Sequence, residues 1–143
     1  IDATVDAGAQ VILLTIKMLD PDGFARLHDL AIGAGLETLV EVNSDDDIAR
    51  VAELGITPSI IGINNRDIAI GETDDGDVGR TEGLARSVPG GPPLLSESAI
   101  STAEDARRAR DAGADAVLVG TAILRADDPA EKVRELVGVG WPR

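Results

Sequence analysis

The stretch DAGADAVLVG, at residues 111–120, places a helix end, a glycine and a short β-branched apolar run in direct succession. The same succession occurs earlier in DAGAQVILL, AGLETLVEV and ELGITPSIIGI, at residues 6–14, 34–42 and 53–63. Glycine suits the left-handed position that ends a helix, and the run after it is typical of a buried strand. The repeat therefore predicts helices and strands in alternation.

A further strand is predicted in PPLLSES, at residues 92–98, after a break rich in Pro and Gly. The strands are expected to begin near residues 11, 38, 59, 94 and 116. They are nearly continuous apolar runs, which predicts a parallel sheet that is covered on both faces. The fold class is therefore α/β. Two architectures fit: an open flavodoxin-type sheet, or about five βα units of a parallel (β/α)8 TIM barrel.

Helix start signals separate these strands. Ser44 precedes three consecutive Asp residues, which suit the positive end of a helix dipole. Ser101 and Glu104 have the spacing of a capping box, and Asp128 followed by Pro129 opens the last helical segment. We therefore expect most of these acidic residues to stabilise helix starts.

The composition excludes several classes of partner. Lys and Arg total 13 against 26 Asp and Glu, so the formal net charge of the 143 residues is −13. This charge repels the phosphates of nucleic acids and anionic lipids, and neither nucleic acid nor membrane is an expected partner. The chain has no cysteine, and no apolar run reaches the ~18 residues of a membrane span. We expect a cytoplasmic protein with a single domain, residues 1–143.

Polar residues cluster where the predicted strands end, which is where parallel α/β proteins place their sites. In chain order they are Lys17, Glu41, Asn64, Arg66, Glu97, Ser98, Gly120 and Thr121. Glu41 lies inside an apolar strand, where a carboxylate has to be paired or functional, and it is a candidate acid or base. Arg66 offers a planar fork for a carboxylate or phosphate, and Ser98 lies where barrels bind phosphate. The set predicts a small, anionic, phosphorylated substrate.

Other interpretations of these strand ends explain less. A simple polar turn accounts for residues 64–67 but not for the remaining strand ends. A receiver-like signalling module with an open sheet predicts two acids after the first strand, an Asp after the third and a Lys after the fifth. The chain has Lys17 with Met18, then Asn64, then Gly120 at these places. The barrel remains the better prediction.

Five segments together carry a resemblance to a known family: VILLTIKML, LVEVNS, IIGINNRDI, LLSESAIST and ADAVLVGTAILRADDP. They resemble indole-3-glycerol phosphate synthase, from the fourth strand of its barrel to its last helix. The resemblance implies a carboxy-lyase of tryptophan biosynthesis. Its substrate would be 1-(2-carboxyphenylamino)-1-deoxyribulose 5-phosphate, which is closed to indole-3-glycerol phosphate with loss of CO2 and water.

The resemblance also implies roles for individual residues. The catalytic positions are Glu41, Asn64 and Glu97. The substrate-binding positions are Arg66, Ser98, Ala99, Leu118, Gly120 and Thr121. Ala99 replaces a glycine that is usual in the family, and Ala would cost ~1 kcal/mol or more if that position needs a positive φ. No cofactor is implied, and no metal is expected because the acidic stretch at residues 71–83 lacks the terminal Glu of a calcium loop.

The family's principal catalytic lysines and a further glutamate lie on the first and third strands, which nothing in this chain matches. We therefore expect the chain to be the carboxyl-terminal portion of a barrel, strands four to eight. Exposed sheet edges would favour self-association or pairing with a complementing amino-terminal half. The alternative function is a non-catalytic half-barrel that binds a phosphorylated metabolite or a partner chain.

Overall fold

A computed structural model describes residues 1–66 and 76–141 of the chain. Its sheet is parallel throughout, and its strands follow the glycines of the repeat. They are β1 (Val11–Thr15), β2 (Glu37–Val42), β3 (Ile60–Asn64), β4 (Leu94–Glu97) and β5 (Ala116–Leu118). Each strand begins within one residue of the predicted position, which confirms the helix–glycine–strand interpretation.

The order of the strands decides between the two candidate architectures. Within the described residues the five strands pair in chain order, β1-β2-β3-β4-β5, and every neighbouring pair is parallel. A flavodoxin-type sheet has the order 2-1-3-4-5, because its chain reverses direction across the sheet. A barrel adds each strand beside the last. The chain therefore forms part of a (β/α)8 barrel, and the TIM-barrel prediction is confirmed.

Helices follow the strands as the repeat predicts. They are α1 (Asp2–Asp6), α2 (Pro21–Gly33), α3 (Asp45–Glu53), α4 (Gly79–Leu84), α5 (Ala103–Ala112), α6 (Thr121–Leu124) and α7 (Pro129–Val137). Ser44 and Asp128 cap α3 and α7, accepting hydrogen bonds from the backbone N–H groups of Asp47 and Glu131 at 3.2 and 2.9 Å. None of the helices in the described ranges has the length and apolar character needed to cross a membrane.

The predicted cap of α5 is wrong by one residue. Thr102, not Ser101, is the N-cap, and it forms a capping box with Asp105 in place of Glu104. Thr102 has the extended backbone that a cap requires, and its hydroxyl accepts from the Asp105 N–H at 3.1 Å. The Asp105 carboxylate accepts from the backbone N–H groups of both Thr102 and Ser101, each at 3.0 Å. Adjacent Ser and Thr residues have the same capping chemistry, so spacing alone did not separate them.

We predict that Asp105→Asn lowers the free energy of unfolding by roughly 0.5–1 kcal/mol at neutral pH, because it removes a charge from the first turn. Burial raises the pKa of Asp105, but hydrogen bonds from Ser101 and Thr102 outweigh it and hold the pKa below the ordinary value of 3.8. The carboxylate therefore stabilises the fold above pH 3.8 and loses that effect as the pH falls through the lower folded value. Urea unfolding of both proteins, stepped down to about pH 3, should show the difference shrinking; a constant difference would contradict this.

The two faces of the sheet have different surroundings. The face towards the helices holds the main core, which includes Leu14, Val40, Val42, Ile61 and Ile63, all buried. Side chains alternate along each strand, so the other face carries the barrel-interior residues. On that face apolar side chains are open at both edges, with Leu13 45% and Leu118 51% exposed. The polar residues of the predicted site lie between these open edges.

Candidate active site

Glu41 is buried at the carboxyl end of β2, with 6% of its surface exposed. Its two oxygens accept hydrogen bonds from both neighbouring strands. Oε1 accepts from the Thr15 hydroxyl of β1 at 3.1 Å, and Oε2 accepts from the Asn64 amide of β3 at 3.0 Å. The carboxylate is thus held in one orientation by donors on either side. A buried, hydrogen-bonded carboxylate at a strand end is well placed to exchange a proton with a bound molecule.

Glu97 brings a second carboxylate to the same face of the sheet. It is the last residue of β4, 3% exposed, and it lies in register with Asn64 of β3 and Leu118 of β5. Gly62 of β3 makes room for it, because a Cβ at Gly62 would lie 2.2 Å from Glu97 Oε1. Gly62 is also in register with Glu41. The missing side chain of Gly62 therefore lets the Glu97 carboxylate reach over β3.

The turn after β3 is built by asparagine side chains. The side-chain amide oxygen of Asn64 accepts a hydrogen bond from the backbone N–H of Arg66 at 2.9 Å. Asn43, from the end of β2, donates to the backbone carbonyls of Asn64 and Arg66 at 2.9 and 2.7 Å. Asn43 in turn accepts from Lys17 Nζ at 2.9 Å, which accounts for that lysine beside the site. Arg66 is thereby fixed at the mouth of the barrel. Alternation along the strand end predicts that Asp67 points away from the substrate and shapes the loop, but Asp67 lies outside the described residues.

Asn65 is 1% exposed and faces away from Glu41, towards β4 and α4. Its amide nitrogen donates to the Ser96 hydroxyl and the Glu97 carbonyl at 3.0 Å, and to the Ser98 carbonyl at 3.1 Å. Its amide oxygen accepts from the Thr81 hydroxyl at 2.9 Å. Consecutive asparagines thus serve two sides of the strand, as side-chain alternation requires.

The chain bends sharply after β4. Ser98 and Ala99 both have positive φ, 64° and 56°, in the left-handed region that favours glycine. Gly76 packs beside them with φ +61°, and a Cβ there would lie 2.9 Å from Ala99 Cβ and 2.8 Å from Arg66 Cγ. Ala99 therefore has the positive φ at which alanine, in place of glycine, costs conformational free energy.

We predict that Ala99→Gly raises the free energy of unfolding by up to about 1 kcal/mol. Relief of the left-handed backbone, ~1–2 kcal/mol, exceeds the ~0.5–1 kcal/mol that glycine's flexibility costs. Urea unfolding followed by circular dichroism measures the change. Ala52→Gly, at an exposed position inside α3, is the matched control and should destabilise by about 1 kcal/mol. Destabilisation by both substitutions would contradict a strained Ala99.

A pocket of about 560 Å³ opens over the ends of β4 and β5. It is within the size range of small-molecule sites. Its lining brings together seven of the nine predicted site residues: Arg66, Glu97, Ser98, Ala99, Leu118, Gly120 and Thr121. The other two, Glu41 and Asn64, lie at the carboxyl ends of β2 and β3, and a hydrogen bond joins their side chains. Ser101 and Arg125 also line the pocket and were not predicted.

Ion pairs outside the pocket hold α4 against α5. Arg108 of α5 bonds Asp77 and Glu82 at 2.9 and 2.8 Å. Its guanidinium holds the pKa of both carboxyl groups below their usual values, and the two carboxylates raise the pKa of Arg108. The contact fixes the start of α4, whose Thr81 bonds Asn65. In the part of the chain that the structure describes, no cluster of three acidic or histidine side chains is placed to hold a metal ion.

The sheet order and the placing of the site define a class of protein: a (β/α)8-barrel protein, here represented by five strands, with its polar pocket at the carboxyl ends of the strands. Solved structures agree with this class. The 3-hexulose-6-phosphate synthase of Salmonella typhimurium superposes with a TM-score of 0.76 over 96% of this chain and 64% of that one. At 18% identity this likeness concerns the fold alone.

Sequence comparison identifies the family. A model of the indole-3-glycerol phosphate synthase family matches residues 1–136, and the chain belongs to that family. The indole-3-glycerol phosphate synthase of Pyrococcus furiosus is 44% identical, over 96% of this chain and 58% of the relative. That of Halalkalibacterium halodurans is 41% identical, over 94% of this chain and 51% of the relative. The chain thus spans between half and three-fifths of the length of these curated relatives.

Proposed function

We propose that this chain supplies the carboxyl-terminal part of an indole-3-glycerol phosphate synthase active site. The reaction is the closure of 1-(2-carboxyphenylamino)-1-deoxyribulose 5-phosphate to indole-3-glycerol phosphate, with loss of CO2 and water. The enzyme is a decarboxylating lyase of tryptophan biosynthesis that works in the cytoplasm. The observation that carries the proposal is the shared pocket, in which Arg66, from the turn after β3, meets residues of β4, β5 and α6 although they are far apart in the sequence.

The chemistry divides between the two sides of the site. Ring closure requires an acid to protonate the departing carbonyl oxygen and a base for the late loss of a proton. Glu41, buried and oriented by Thr15 and Asn64, takes this acid–base role. Glu97 lies across Gly62 from Glu41 and keeps the reacting centre between two carboxylates.

The charged ends of the substrate take the remaining positions. Arg66 holds the benzoate carboxylate until decarboxylation, since its planar guanidinium matches a carboxylate. The phosphate lies towards Ser98, Gly120 and Thr121, where barrels bind phosphate with backbone N–H groups. Leu118, half exposed in the pocket, forms an apolar wall for the aromatic ring.

The sheet edges support a partner for this segment. Leu13 on β1 and Leu118 on β5, the two outer strands of the described sheet, are exposed on the barrel-interior face. An amino-terminal half of the barrel, with the family's lysine-bearing strands, would cover both edges, and self-association is the expected behaviour in its absence. Sedimentation of the chain alone and of the mixture measures this. A stable monomer that does not associate with the amino-terminal half would oppose the partner proposal.

The proposed substrate contains a carboxylate that the proposed product has lost, and this difference gives a direct test. Calorimetric titration of the chain with each compound should show that Arg66→Gln weakens substrate binding by about tenfold or more, because a charge-assisted hydrogen bond is lost. Binding of indole-3-glycerol phosphate should change little. Arg86→Gln, on the 3-10 turn after α4, is the control. Equal weakening of both ligands, or no binding of either to a folded chain, would oppose the proposal.

A further inference from the structure

We infer that Asn65 is a positioning residue: its side-chain amide fixes the backbone of Ser98 and Ala99 so that their N–H groups serve as anion donors in the pocket. This inference rests on the proposed function, because it assumes that the β4–β5 side of the pocket takes the substrate's phosphate. The inference adds to the proposed site a residue that would not contact the ligand itself and that directly follows β3, the strand beside β4.

The hydrogen bonds of Asn65 converge on the bend after β4. Its backbone N–H and side-chain amide both donate to the Glu97 carbonyl, at 2.9 and 3.0 Å, and the amide also reaches the Ser98 carbonyl at 3.1 Å. Its oxygen is held in turn by the N–H and hydroxyl of Thr81, at 3.2 and 2.9 Å. The side chain is buried and its orientation is set from both ends.

Peptide geometry links these bonds to the pocket. In a planar trans peptide the carbonyl and the following N–H point in opposite directions. Anchoring the Glu97 and Ser98 carbonyls at Asn65 therefore directs the N–H groups of Ser98 and Ala99 away from Asn65. Both of these residues line the pocket, and successive N–H groups that point the same way form an anion-binding concavity.

The backbone of this bend needs such an anchor. Ser98 and Ala99 are both non-glycine residues with positive φ, so neither favours the conformation by itself. The Asn65 amide compensates by bonding two successive carbonyls of the same bend. Removing the donor should let this segment relax towards ordinary φ values and disperse the N–H groups.

Asn65→Asp is the test variant, because Asp has nearly the shape of Asn but replaces the donating NH2 group with a second acceptor oxygen. That oxygen would face the Ser96 hydroxyl and the Glu97 and Ser98 carbonyls. Thr81→Val is the control: it removes the hydrogen bonds that the Thr81 hydroxyl makes with Asn65 and Ser96 in the same buried network, without touching the Glu97 or Ser98 carbonyls. We expect inorganic phosphate to bind Asn65→Asp about tenfold or more weakly than the unchanged chain. Thr81→Val should bind phosphate nearly as well as the unchanged chain, although both variants lose stability.

Amide NMR spectra during phosphate titration provide the readout, with the signals of Ser98 and Ala99 as site reporters and their carbon shifts as reporters of positive φ. Asn65→Asp should lose both the phosphate response and the positive-φ shifts, and adding Ala99→Gly should restore part of the response. If Asn65→Asp fails to fold, Asn65→Ser, whose side chain is too short to reach the carbonyls, is judged by the same criteria.

The two proposals fail differently. An unchanged chain that does not respond to phosphate at Ser98 and Ala99 would count against the phosphate side of the proposed function, and the carbon shifts would still test Asn65. Retained positive φ in Asn65→Asp would overturn the positioning role whatever phosphate does. A variant that responds to phosphate like the unchanged chain would also overturn it, while leaving the proposed function intact.

Discussion

Glu41→Gln is expected to reduce turnover by at least about a hundredfold, the lower range of what a positioned acid or base contributes. The measurement is indole formation in a barrel completed with the amino-terminal half of a related family member. Gln has nearly the shape of Glu but cannot take up or release the proton. The loss should appear in kcat more than in KM, because the substrate's charged ends bind elsewhere in the site.

The fold should tolerate this substitution. The amide oxygen of Gln can accept from Asn64, and its NH2 group can donate to the Thr15 hydroxyl, since a hydroxyl is both donor and acceptor. Both neighbours therefore keep a partner. Glu37→Gln, an exposed position at the start of the same strand, is the control and should leave turnover unchanged. An active Glu41→Gln enzyme would remove Glu41 from the mechanism.

Gly62→Ala is expected to lower the free energy of unfolding by about 1–3 kcal/mol, as overpacking of a filled interior does. Its Cβ would lie 2.2 Å from Glu97 Oε1 and 3.0 Å from Leu39 Cδ1. The Glu97 carboxylate would have to leave its buried position over β3. Urea unfolding measures the stability, and the completed barrel should lose activity at the same time.

A second substitution tests the cause of this effect. Glu97→Asp shortens the side chain by one methylene, so the double variant Gly62→Ala with Glu97→Asp should lose less stability than the two single losses added together. Gly33→Ala is the matched control, because a Cβ there meets no atom within 4 Å and should stabilise α2 slightly. Strict additivity of the two changes would contradict a steric contact between residues 62 and 97.

Much of the fold followed from the sequence because its signals are local. Each helix end, glycine and apolar run lies within about ten residues, and the parallel sheet follows from apolar runs that are buried on both faces. The position of Glu41 was predictable for the same reason, since a carboxylate inside such a run is conspicuous. The cap of α5 was misplaced because Ser101 and Thr102 offer the same chemistry, and only the backbone of Thr102 distinguishes them.

Other features of the site depend on contacts between strands and could not be predicted. The role of Gly62 arises from the reach of Glu97 across β3, which no local pattern encodes. Asn43 bonds a turn more than twenty residues away, and Arg125 lines the pocket from beyond a short helix. Alternation along the strand end predicts that Asn65 points away from the substrate, but it does not predict the bonds of Asn65 to the bend after β4.

The most direct test of the central claim is the growth of indole fluorescence after addition of 1-(2-carboxyphenylamino)-1-deoxyribulose 5-phosphate. The chain is assayed alone and together with a separately expressed amino-terminal half of a related barrel that carries the family's lysines. We predict product from the mixture and none from either part alone. Absence of product from a mixture in which both parts are folded and associated would contradict it.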